Sequence, residues 1–504
     1  MMATNRRMHA DWIVAWTIVL AAIALRLPQP LHGDTASFVT YARGMHAGQF
    51  LYRDIWDIKP PGVYLFYYVA ESALGTSVWG LRLFEALYQL LLAILLVILL
   101  RPVLERRARA WVPVLTTGAY YAVASSWFLG QPEALAAPLI ATAVIGAFRA
   151  SEDPSPLRWC ALSGLLAGAA ILIKPVYALI PLSAWCLAAS WRWRSAGPAD
   201  VARCAGAIAV TAIVPLLATA VVFAMHGELA SLLHLLFIAP FAMAGTVGVT
   251  HGDTLKESIR WIAPFVPASV LGFALGWWRA DARRRRLLAT IAVWVVAAAI
   301  VILVQVQSWW SYHFVLFIWP SGLAIATALS AVRSNERHDR TPAIAATVVL
   351  VMAFVPWIEL RHPIQALLRT GYPHDAQQLF AYQVALDDGR GPIGRFLRET
   401  AYFRDRSEPD RTLFVFGNPL IYYLTGTLQA IRMQGQTPEY YRPEQWAALE
   451  AELQESLPRH VYVRGGYVDL LTREHPGIGA LLNTRYRVAA KTAEGTWYER
   501  AQPR

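Results

Sequence analysis

The 504-residue chain is 56% hydrophobic and only 16% charged, with a mean hydropathy of +0.38, which is too apolar for a soluble enzyme of this length. Its net charge of +11 raises nucleic-acid binding, but the arginines fall between long apolar blocks, where membrane topology accounts for them. Cys160, Cys186 and Cys204 lie in or beside apolar blocks and the last 144 or so residues hold no cysteine, so no disulfide framework is expected.

Taken in chain order, Arg6 and Arg7 precede the first apolar run, at 12–27. Further runs follow it, so a retained anchor is a better reading than a cleaved signal peptide. Later runs fall at 79–100, 110–126, 134–149, 159–174, 176–190, 204–225, 261–278, 287–304, 312–332 and 342–360. Each approaches the roughly 20 apolar residues that cross a hydrocarbon core, giving about 11 crossings. With the N-terminus inside, the cytoplasmic loops hold Arg101, Arg106, Arg107 and Arg109, then Arg149 and Arg158, Arg192, Arg194 and Arg203, Arg279 and Arg283 to Arg286, and finally Arg333, Arg337 and Arg340. The opposite loops are poor in cations, which sets the orientation by the positive-inside rule. Trp277, Trp278, Trp309 and Trp310 mark interfaces as anchors. The run from Leu229 to Phe241 is too short to span and suits an interfacial or re-entrant helix.

Residues 361–504 change character, with mixed charge and turn residues typical of a small soluble domain. Strands are predicted at Thr412 to Phe416, His460 to Arg464, Arg485 to Ala490 and Thr496 to Arg500, with a helix over Glu444 to Ser456. Gly417, Asn418 and Pro419 turn the chain after the first strand and make no nucleotide fingerprint. The organisation expected is a membrane domain, 1–360, whose outer loop 28–78 carries the active site, and an outer α/β domain, 361–504.

Loop 28–78 holds the densest chemistry: Asp34, Tyr41, Arg43, Tyr52, Arg53, Asp54, Asp57, Lys59, Pro60 and Pro61. Ionisable residues against a membrane are costly unless they pair or act on a ligand. The two prolines pre-set the backbone beside Lys59, and a cation held at headgroup depth suits a phosphate.

The series Gly33-Asp34, Tyr41-Ala42-Arg43, Gly48 and Leu51-Tyr52-Arg53-Asp54-Ile55-Trp56-Asp57-Ile58-Lys59-Pro60-Pro61-Gly62 resembles the bacterial GT-C glycosyltransferases of the protein mannosyltransferase and aminoarabinose transferase superfamily. Ser311-Tyr312-His313-Phe314 with Pro320, and Phe414-Val415-Phe416-Gly417 with Tyr422-Tyr423, extend the likeness over nearly the whole chain. The resemblance implies a polytopic α-helical membrane protein with a C-terminal periplasmic α/β domain, in the inner membrane of a bacterium. It implies an inverting transfer of a monosaccharide from a polyprenyl-phosphate donor, undecaprenyl phosphate-linked, to a glycan, lipid or protein hydroxyl. Asp34 would then be the catalytic base and Lys59 the ligand of the donor phosphate. Two departures weaken a lipid A acceptor: Thr35 stands where many members have a second acid, and Ser37 where aminoarabinose transferases carry arginine. Glu133, after Gln131 and Pro132, is a candidate for that second acid.

Each residue also has a plainer reading. Asp34 could cap the helix after it, and Lys59 could snorkel to headgroups, while Arg82, facing outward at the start of the second span, could either snorkel or contact phosphate. Asp54 and Asp57 could pair with Arg53 and Lys59 and only organise the loop. Lys174, before Pro175, is either a headgroup anchor or a further phosphate ligand. His313 is either an interfacial histidine or part of the donor pocket. Substrate positioning is assigned to Asp57, Glu133, Arg53 and Tyr41. His251 and Asp253 have a spacing that suggests a metal but no further ligand nearby, so no metal and no cofactor beyond the lipid-linked donor is expected. A flippase for a lipid-linked sugar and a non-catalytic envelope scaffold are the competing functions.

Overall fold

A computed structural model describes residues 2–239, 252, 254–256, 258, 265–305, 309–332, 359–386, 392–404, 411–438 and 441–501. The chain divides into two compact units. One comprises Met1–Leu27, Arg82–Val222 and Val249–Pro363, the other Pro28–Leu81, Phe223–Gly248 and Ile364–Arg504.

Among the described residues, five helical segments are long and apolar enough to cross a membrane: Val78–Leu99, Pro132–Glu152, Pro198–Met225, Ala282–Leu303 and Ser311–Ala331. The chain is a multi-pass membrane protein. The expected runs at 12–27, 159–174, 176–190 and 261–278 fall on helices Met2–Arg26, Leu157–Ile173, Leu179–Ala196 and Phe265–Arg279. Positions 342–358 of the last expected span, and His251 and Asp253, lie outside the described residues.

The run at 110–126 is not one helix. After the short helix Arg106–Ala110 and a turn at Trp111, a helical stretch over 112–123 contains a π turn, Val114–Gly118, and ends with Ala119–Val123. Pro113 brings no amide to the ladder, and Thr116 donates its hydroxyl back to the Val112 carbonyl at 2.7 Å. Gly322 supplies room for the bulge, since a Cβ there would sit 1.9 Å from the Leu115 oxygen.

Pro132–Glu152 is the buried centre of its unit, enclosed along its whole apolar window, and its many alanines permit close neighbours. Pro198–Met225 is its opposite, only 11% buried, and turns Val210, Ile213, Leu217 and Val221 outward, as a lipid-facing helix does. Arg283 and Arg286 both reach Glu152, at 3.1 and 3.0 Å.

In the other unit, helices Asp34–His46 and Pro61–Leu74 pack through Phe38, Tyr41, Tyr64 and Tyr67, with ring centroids 5.7 to 5.9 Å apart. Four strands, β1 (Leu413–Phe416), β2 (His460–Arg464), β3 (Tyr486–Lys491) and β4 (Gly495–Arg500), fall where the β-branched and aromatic runs predict them. Their order is β1-β2-β4-β3. β1 and β2 are parallel, with Phe414 opposite Val461, and the other pairings are antiparallel. Strand β1 is buried throughout, as parallel strands covered on both faces are. Helix Pro443–Ser456 lays Trp446, Leu449 and Leu453 against Phe414, Phe416, Val461 and Val463. The free edge of β1 is covered by the segment after Gln429, through Ala430 N to Leu413 O (3.1 Å) and Gly417 N to Gly435 O (2.8 Å).

Candidate active site

The helix carrying Asp34 starts where it does because Gly33 takes φ 49°, a conformation open to glycine. Asp34 is the first helical residue, and its carboxylate accepts no amide of its own helix among the described residues. The capping reading therefore gives way. A local turn is closed instead by Thr35, whose Oγ1 accepts from His32 N at 3.1 Å. Asp34 Oδ1 accepts from Gln436 Nε2 at 3.0 Å, and Oδ2 lies 3.4 Å from Lys59 Nζ. One turn on, Ser37 Oγ donates to Gln436 Oε1 at 2.5 Å.

Lys59 is held by a tight loop. Tyr52 adopts φ 71°, a strained backbone for a side chain of its size. It is pinned by Tyr52 N to Ile55 O (2.7 Å) and by its hydroxyl to the Lys59 carbonyl (2.8 Å). Pro60 and Pro61 then lead into the next helix. The ammonium sits 5.2 Å from the centre of the Phe38 ring, a cation–π arrangement. The side chains of Lys59 and Asp34 remain 27% and 22% exposed, so both can be reached by a substrate.

The other loop residues are organised around this pair. Asp57 is buried, with Oδ1 accepting from Ile58 N at 2.6 Å. Burial, and next the Asp57 charge, push the Tyr41, Tyr52 and Tyr64 phenols well above their usual range, so they stay protonated. Tyr41 points its hydroxyl to Gln434 Oε1, at 3.5 Å. Arg53 is not drawn to the pair. It forks onto Asp54 at 2.8 Å on the exposed side of the loop, and that hydrogen bond holds the Asp54 carboxyl below its usual range. Burial lowers His32 to about 4, against the opposing charge of Asp34.

A second polar cluster forms in the other unit around Glu133, which opens the buried helix after Pro132. Its Oε1 accepts from Lys174 Nζ at 3.0 Å and Tyr177 OH at 2.8 Å, with His313 Nε2 at 3.8 Å. Lys174 also donates to Gln305 Oε1 at 2.5 Å. It stands in extended backbone between two helices that Pro175 separates. Glu133 is fully buried and, among the described residues, its Oε2 has no hydrogen-bond partner, an acceptor that burial makes costly to leave empty. Lys174 and His313 thus gather on one carboxylate. Arg82 does not face headgroups: it is 3% exposed and paired with Glu85 at 3.1 Å, because an arginine sealed among helices needs a counter-charge.

Sequence reasoning missed Gln434, Gln436, Tyr177 and Gln305. A neutral amide carries no charge pattern to notice. The Gln434-Gly435-Gln436 spacing held a faint signal, since residues two apart in extended chain share a face.

Residues 58–219 match the family model of dolichyl-phosphate-mannose-protein mannosyltransferases, a stretch that takes in Lys59, Glu133 and Lys174 and begins after Asp34. None of the curated proteins matches the chain by sequence. In fold the chain is similar to ArnT from Cupriavidus metallidurans bound to undecaprenyl phosphate, with a TM-score of 0.61, 15% identity and 97% of each chain covered. The apo state of the same protein gives 0.60, 15% and 98% of each chain.

Proposed function

We propose that this chain, whose residues 58–219 match the mannosyltransferase family model and whose fold is similar to ArnT, is a GT-C glycosyltransferase that moves a monosaccharide from a polyprenyl-phosphate donor to an acceptor hydroxyl, on the outer face of a bacterial inner membrane. The observation that carries the reading is the Asp34–Lys59 pair at 3.4 Å, with both side chains open to a substrate. Asp34 takes the proton of the acceptor hydroxyl as it attacks the anomeric carbon. Attack opposite the departing phosphate inverts the configuration. Lys59 meets the charge that grows on the polyprenyl phosphate, and an ammonium already fixed in place stabilises that charge without the reorganisation water requires.

The undecaprenyl phosphate bound by the similar ArnT supports a polyprenyl carrier here. Within its own unit Glu133, whose Oε2 has no hydrogen-bond partner among the described residues, is suited to a hydroxyl, with Lys174 and His313 gathered on the same carboxylate. Asp57, shut away at 1% exposure, keeps the loop in shape, and Tyr41 lines it. No metal is invoked.

The test is transfer in nanodiscs from a panel of polyprenyl-phosphate sugars, reading released polyprenyl phosphate for wild type, Asp34→Asn and Lys59→Ala. Release by wild type that collapses in both variants is expected. Undiminished turnover by a well-folded Asp34→Asn protein would sink the assignment, and tight donor binding without release would turn the reading toward transport.

A further inference from the structure

Resting on the transfer reading above, we infer that Gln436, a residue of the C-terminal segment, is a positioning residue for the base Asp34 and completes the active site of the first outer loop. Gln436 Nε2 donates to Asp34 Oδ1 at 3.0 Å while its Oε1 accepts from Ser37 Oγ at 2.5 Å. The two bonds fix which way the amide faces, because an ionised carboxylate has no proton to give and needs the N–H side toward it. One side chain thus holds the first turn of the Asp34 helix at two points.

Gln436 is itself braced. Its carbonyl accepts from Tyr467 OH at 3.0 Å. The neighbouring Gly435 lies so close to β1 that a Cβ would stand 2.2 Å from Val415 O. Four residues upstream, the Arg432 carbonyl accepts from Trp56 N at 3.0 Å, tying the same segment to the loop that presents Lys59. Precise support of this kind is what a side chain on a loop or helix end needs to keep one geometry.

The amide matters because the two partners of Asp34 have different fates. When a donor phosphate arrives, the Lys59 ammonium turns to it, and the Gln436 contact is the one that stays. A neutral donor orients the carboxylate and leaves a lone pair on each oxygen for the acceptor proton. A second carboxylate in its place would instead favour the protonated base.

The experiment compares kcat against pH in nanodiscs for wild type, Gln436→Ala, Gln436→Glu and Ser37→Ala, with Gln454→Glu as a charge control on the exposed face of the same domain. Gln436→Ala is expected to lower kcat by roughly 10- to 100-fold through misplacement of the base, with donor KM within about twofold of wild type. Gln436→Glu should move the acidic limb of the profile to higher pH by about one unit. Ser37→Ala, which frees the amide to rotate, should lose less. Gln436→Glu is isosteric and carries the test where the alanine variant fails to fold. An acidic limb unmoved in Gln436→Glu, or a wild-type kcat in Gln436→Ala, overturns the inference while wild type and Asp34→Asn still behave as a transferase and its inactive variant. A wild-type protein that turns over no donor overturns both readings together.

Discussion

Two ion pairs in this protein answer the same problem of charge near a membrane in opposite ways. Arg82 and Glu85 are each 3% exposed, and Glu85 is saturated by Arg82 Nη1 (3.1 Å), Tyr120 OH (2.7 Å) and Gly130 N (3.1 Å). Asp34 and Lys59 stand slightly farther apart and keep about a quarter of their side chains open, and Asp34 takes one further hydrogen bond, from the neutral amide of Gln436. A buried pair that is fully satisfied resists exchange, because either partner alone would be an uncompensated charge. A half-open pair can trade partners. The difference separates a pair that secures helices from one that can meet a substrate.

The contrast can be broken by substitution. The largest effect is expected from Asp34→Asn, which should cut turnover by about 10²- to 10⁴-fold with no change in thermal unfolding in detergent. Lys59→Ala should cost roughly 10²- to 10³-fold in kcat, as loss of a charge facing the leaving group does, again with stability kept. Glu85→Ala should do the reverse, destabilising the protein by about 3–5 kcal/mol through an abandoned buried arginine while turnover per folded molecule stays near wild type. Loss of turnover without loss of stability in Glu85→Ala would erase the distinction.

A smaller effect is expected from His32. Its folded value, about 4, lies below the usual imidazole range near 6.5, so protonation favours the unfolded chain. The stability it contributes is complete above that range and is lost as pH falls toward 4, by up to about 3 kcal/mol. Thermal unfolding of His32→Gln should therefore decline less steeply between pH 7 and 4.5 than that of wild type. The smallest change is Tyr52→Phe, which removes the hydroxyl on the Lys59 carbonyl and should cost about 1 kcal/mol. A raised donor KM in that variant would tie the loop strain to the placement of Lys59.

What could be read from the sequence follows from what leaves a pattern. Asp34 and Lys59 stood out because charge against an apolar span is rare, and the strands because Leu413–Phe416 and His460–Arg464 are dense in aromatic and β-branched residues. The π turn inside the run at 110–126 is not legible from hydropathy, which registers apolar length alone. Arg82 is read no better: its helix position suggests an interface, and only Tyr120 and Gly130, which close on Glu85 three residues along the same helix, reveal a sealed network. Gln436 left no trace near Asp34 because the contact is made through folding alone.

That contact spans 402 residues of chain, which gives the site a history as well as a geometry. At the usual 5–20 residues per second, the ribosome makes Gln436 roughly 20 to 80 s after Asp34. Throughout that interval the first loop and the helices after it exist with Asp34 lacking its amide partner. A chain that stops between positions 219 and 436 therefore carries the whole family-matched stretch, residues 58–219, and still lacks the amide on Asp34, so under the proposed function competence for transfer would arrive only near the end of synthesis.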